Sequence, residues 1–152
     1  MHGVGDFAEV FLEGNAGMHV YSGAVSMVAG YYGANKLIKA DSALDRLEGI
    51  GNLALAGHCA LEATGHGALG INAGLSILHA GSELFLGVAD IANGKKNHCN
   101  RRLAAGICQL MVGVGSLASQ FVPGGQLIGA SMILAGTIGR QVAIALPAKI
   151  EA

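Results

Sequence analysis

Four short polar interruptions divide this chain into five apolar stretches of about twenty residues each. A stretch of that length is long enough for a helix and too long for a single strand. The first interruption, 36–46, carries Lys36, Lys39, Asp41, Asp45 and Arg46. The second is Thr64-Gly65-His66-Gly67, the third covers 93–102 with Lys95, Lys96, Arg101 and Arg102, and the fourth is Pro123-Gly124-Gly125. Asp41 or Ser42 can cap the helix after the first interruption and Asn100 the one after the third, while Gly65 and Gly94 suit the stops of their predecessors. The pattern predicts an all-α chain with helices over roughly 15–37, 43–64, 69–93, 101–121 and 125–146. An acidic segment, 1–14, precedes a single Gly/Ala-rich helical hairpin-repeat domain over 15–152. That segment holds Asp6, Glu9 and Glu13 without Lys or Arg, unlike the basic start of a cleavable secretory signal.

The repeat is read from a gapless self-match at an offset of 57. It places Asn15 on Asn72, Gly30 on Gly87, Lys39 on Lys96, Gly49-Ile50 on Gly106-Ile107, Leu53 on Leu110 and Gly67 on Gly124, with Asn52 on Gln109 as a conservative pair. The unit is a helical hairpin present twice, with the fifth helix as half of a third copy.

Wheel positions then bear on the solvent. Asn15, His19, Ser22 and Ser26 share one narrow face of the first helix, and Asn72, Ser76, His79 and Glu83 share one face of the third. Nearly everything else on these helices is apolar or glycine, the inverse of a water-facing helix. Charged residues make up only 12% of the chain against 52% hydrophobic, which leaves little material for a wetted exterior. Such helices are buried all round, or lie in a bilayer with the polar stripe turned inward. All nine Lys and Arg fall in the first and third interruptions and the carboxy-terminal stretch with Arg140 and Lys149. If each stretch crosses once, this distribution places the amino terminus outside and the carboxy terminus inside. Against that stand Glu83, mid-segment, and Arg140, fifteen residues beyond Gly125. With a net charge of −1 and scattered basic residues, nucleic acid is not an expected partner.

Small residues recur four apart. Gly70-x-x-x-Gly74 and Gly125-x-x-x-Gly129 are literal examples, and Ala29/Gly33, Ala56/Ala60 and Ala135/Gly139 are looser ones. This spacing lets two helix axes approach closely, and neighbouring Asn and Gln side chains can add hydrogen bonds. Gly70, Gly74, Gly125 and Gly129 are therefore expected to pack helices, with Asn15, Asn52, Asn72 and Gln109 as bonding partners.

Chemistry-bearing residues are few. His58, Glu62 and His66 are spaced four apart, and His79 and Glu83 lie one turn apart on the next helix. Residues of this type on facing helices can ligate a metal, so His58, Glu62, His79 and Glu83 are the candidate ligands. The pattern is neither HExxH nor Glu-x-x-His, and polar contacts among neighbouring helices explain the same residues with no metal; no cofactor is expected. Glu83 with His79 and Asp90 is alternatively an ion or proton relay. Cys59, Cys99 and Cys108 form no CxxC pair, and catalytic and nucleotide-binding fingerprints are missing from the sequence. The expectation is a structural or interaction protein, a membrane-embedded helical bundle that associates with copies of itself as an oligomer or pore. The alternatives are a soluble hairpin-repeat protein forming a filament or shell, and an ion or proton transporter or metal-binding protein built on His79 and Glu83.

Overall fold

A computed structural model describes residues 16–66 and 70–145. The acidic segment 1–14, Asn15, Gly67 and Lys149 lie outside the described residues. The described chain is all-helical: α1 Ala16–Ile38, α2 Ala43–Ala63, α3 Gly70–Lys96, α4 Asn100–Phe121 and α5 Gln126–Ala145. Every expected helix is present, with ends displaced by at most three residues.

The ends follow from local hydrogen bonding. Ser42 caps α2: its Oγ accepts from the Asp45 backbone N–H at 3.1 Å and donates to Asp45 Oδ2 at 2.6 Å. At the far end Gly65 adopts φ 77°, and His66 N–H donates to Leu61 O at 2.7 Å while Gly65 N–H donates to Glu62 O at 3.0 Å, a Schellman closure. Two expectations are corrected. Gly94 does not stop α3. It lies inside the last turn of α3, buried against the start of α4, where a Cβ would lie 2.7 Å from Leu103 N. The left-handed closing position is His98, at φ 48°, with Cys99 N–H bonded to Gly94 O at 2.8 Å. Asn100 is the first residue of α4 rather than its cap, a place taken by Cys99 without a side-chain bond.

Each helix packs antiparallel on its successor. Gly33 faces Gly49 between α1 and α2, Gly51 faces Ser82 between α2 and α3, Gly87 faces Gly106 between α3 and α4, and Gly115 faces Gly129 between α4 and α5. At Gly33, Gly87, Gly106 and Gly129 a side chain would meet the neighbouring backbone within 3 Å, so glycine permits axes to close to van der Waals contact. An offset of 57 lays α1 and α2 over α3 and α4 to within three residues at each end. The glycine crossings differ, because Gly49 meets Gly33 whereas its counterpart Gly106 meets Gly87, one turn along.

Up-and-down connectivity brings Lys36, Lys39, Arg46, Lys95, Lys96, Arg101, Arg102 and Arg140 to one end of the bundle. Its interior is polar as well as apolar. Ser22, His58, Asn72, Ser76, His79, Ser82, Gln109 and Ser116 are buried, alongside Val25, Ala29, Leu55, Ala80, Leu86 and Ile133. The exterior carries the large side chains: Ile38 is 83% exposed, Val20 and Met27 73%, and Ile71, Phe85, Val88, Ile107, Ile128 and Ile138 are exposed too. Three helices are long and apolar enough to cross a membrane: α3, α4 and Leu127–Ala145 of α5. In α2, Asp45, Arg46 and Glu48 occupy the first two turns.

Candidate functional site

Many of the buried polar groups fall into two regions. In the first, His58 on α2 engages oxygen on both sides: Nε2 lies 3.2 Å from Glu62 Oε1 one turn on, and Nδ1 lies 2.6 Å from Asn72 Oδ1 of α3. The i, i+4 spacing of His58 and Glu62 puts them on one face of α2, and antiparallel packing on α3 supplies Asn72. His66 does not join them. It follows the Gly65 turn, is exposed, and pairs with Thr64 Oγ1 at 3.2 Å. His19 of α1 contacts the same end of α2, its Nδ1 3.1 Å from Glu62 O.

The second region surrounds a half-open cavity of about 470 Å³ to which all five helices contribute. Its polar walls include Lys36, Glu48, His79, Glu83 and Arg140. His79 is buried and donates Nδ1–H to the Gly51 carbonyl at 3.2 Å, an acceptor exposed by the close α2–α3 approach. Glu83 accepts a hydrogen bond from the Gln109 amide of α4 and lies within the field of Arg140. Glu48 is the hub of the charged end: Lys36 Nζ lies 2.8 Å from its Oε2, and Arg140 Nη2 3.5 Å from its Oε1. Lys36 also reaches Asp45 Oδ1 at 3.1 Å. The hydrogen bond that Lys36 donates to Glu48, together with the one it donates to Asp45, raises its ammonium above the ordinary range. The Ser42 hydroxyl, and then Lys36, hold the Asp45 carboxyl below its own.

The remaining expected residues take distinct places. Gln109 is 1% exposed and reaches across to Glu83. Asn52 lines the cavity, but its amide donates to Glu48 O of its own helix at 2.9 Å rather than to a neighbour. Asn72 meets His58. Gly129 lies in the α4–α5 seam and Gly125 at the turn before it, against Ala118 O. Gly70 and Gly74 have nothing within 4 Å of a Cβ position and face outward. Asp90 pairs with Arg102 at 2.9 Å, outside the cavity lined by His79 and Glu83. Among the described residues, no three His, Cys, Asp or Glu side chains converge tightly enough to hold a metal ion.

The Lys36–Glu48–Arg140 cluster is a feature that sequence reading missed. Its signal is present, since all three residues fall at the basic end of an up-and-down bundle, but their pairing joins α1, α2 and α5 across 92 residues of chain. No protein-family model, curated protein or solved structure gives a significant match to the chain.

Proposed function

We propose that this protein is a membrane-embedded helical bundle with a structural or interaction role, assembling with copies of itself through small-residue helix faces. The observation that supports the reading is the inversion of polarity: hydroxyl, amide or imidazole groups are buried on α1 to α4, and large apolar side chains are exposed on all five helices. In water each exposed Ile, Val or Phe forgoes about 1.5–3 kcal/mol of burial, and contiguous apolar surface of this kind marks a lipid- or partner-facing exterior. In a bilayer the same arrangement is favourable, because lipid solvates the outside while interior groups such as His58, Asn72, His79 and Ser116 find hydrogen-bond partners within the bundle. The basic end then belongs on the cytoplasmic side.

Self-association is assigned to the outward face of α3. Gly70, Gly74, Ile77, Gly81, Phe85 and Val88 fall on one stripe there, all exposed, and the three glycines leave open room for a second helix. Fractionation tests the reading. The protein should sediment with membranes, resist alkaline carbonate, and enter solution only with detergent as an oligomer. Release by carbonate as a large particle would favour the soluble filament or shell. A freely dissolved monomer would overturn both.

A further inference from the structure

The charged cavity and the His58 cluster lie along one polar column, and its two ends are wetter than its middle. Along α2 it extends from Asp45 to Glu62, about 26 Å at 1.5 Å per residue, close to the roughly 30 Å of a hydrocarbon core. At the basic end the side chains of Lys36 and Asp45 are 40% and 35% exposed. At the other end Glu62 is partly exposed and His19 exposed. Between them Ser76, Asn72, His79 and His58 are all buried, on neighbouring turns of α3 and the facing turn of α2. The cavity supplies polar space for water as far as Glu83 and His79.

We propose that this column conducts protons across the bundle, an activity that rests on the membrane reading above. Water in the cavity exchanges a proton with Glu83 and His79. The proton crosses the buried Ser76 interval to His58, which Asn72 orients, and leaves by Glu62 to solvent. Each transfer moves one proton between oxygen or nitrogen atoms, so the step needs no other reactant. Arg140 and Lys36 would oppose a proton entering the cavity, but both are paired with Glu48, and Glu83 itself lies in the field of Arg140. Ser76, Asn72 and His58 are buried and none of them lines the cavity, so this interval would pass a proton between side chains rather than a hydrated metal cation.

The test uses the full chain in phosphatidylcholine vesicles enclosing a pH-sensitive dye, with a potassium gradient and valinomycin as the driving force. Proton entry should exceed that of protein-free vesicles by about tenfold or more, and Glu83→Gln should slow it by a similar factor. Glu83→Gln keeps the side chain's shape and its capacity to bond Gln109. His58→Gln should also slow entry, whereas Asp90→Asn, off the column, should leave it unchanged. Wild-type flux equal to that of empty vesicles, full flux in both column variants, or sodium entry as fast as proton entry would overturn the proposal. Protein that carbonate strips from the vesicles would overturn the membrane reading itself, whereas carbonate-resistant protein without proton flux would overturn conduction alone.

Discussion

The α4–α5 seam and the outward face of α3 are both lined by glycine at a spacing of four, and they present it to different surroundings. In the seam, a Cβ at Gly129 would lie 2.5 Å from both Gly115 O and Ser119 N, and one at Gly136 2.5 Å from Cys108 O. These neighbours are backbone, which cannot rotate aside as a side chain can. On the α3 face, Gly70, Gly74 and Gly81 have nothing within 4 Å. The same residue type is thus required by close approach in one place and sterically free in the other. Glycine lowers helix propensity by about 0.8–1.0 kcal/mol relative to alanine, so its use on an open face weakens α3 without any return inside the chain. A second helix docking on that stripe would supply the return.

Substitutions separate the two regions. Gly129→Leu should have the largest effect, abolishing a cooperative thermal transition in mild detergent, because even the first carbon of the side chain collides with α4; Gly129→Ala should cost about 1–3 kcal/mol, in the range of overpacked cores. A normal melt for Gly129→Leu would show that the seam can open without loss of fold. Next in size, Gly74→Leu combined with Gly81→Leu should leave the melt of the single chain intact but reduce the mass found by crosslinking or light scattering. Unchanged mass would remove the α3 face as the site of association. Smaller and opposite in sign to the seam, Gly74→Ala and Gly81→Ala should each stabilise the chain by about 0.5–1 kcal/mol. Destabilisation by either would mean that the stripe is crowded after all.

The smallest effect lies away from both regions, at the α1–α2 turn. Asp45 is held below its ordinary range by Ser42 and Lys36, so its contribution is present above the usual carboxylate range and is lost as pH falls through the lowered folded value. Lys36 is raised chiefly by Glu48, so its contribution persists through neutrality and is lost only as pH rises through the raised ammonium range. Melting temperature should therefore be flat near neutrality and dip slightly in acid. Asp45→Asn should lower the plateau a little and shrink the acid dip.

Much of the architecture was legible in one dimension. Length, turn chemistry and the apolar runs locate the helices, because hydrogen bonds within a helix connect residues four apart and its stops depend on a few local dihedrals. The pairing of His58 with Glu62 is legible for the same reason. Errors arose where a neighbour intervened: Gly94 looks like a stop, but the start of α4 lies against it. Asn52 looks like an interhelical donor, but it turns back on its own helix.

What the residues settle alone is that five apolar helices form, that their few polar side chains share narrow faces, and that connectivity gathers the basic residues at one end. The tertiary structure decided which glycines touch, that Asn72 meets His58, and that Glu48 holds Lys36 and Arg140 from opposite ends of the chain. The reason is physical. Spacing determines which residues share a helix face, but the choice of neighbour depends on rotation and offset between packed helices, and a one-turn shift, as between the Gly33–Gly49 and Gly87–Gly106 crossings, exchanges the partners without altering any local signal.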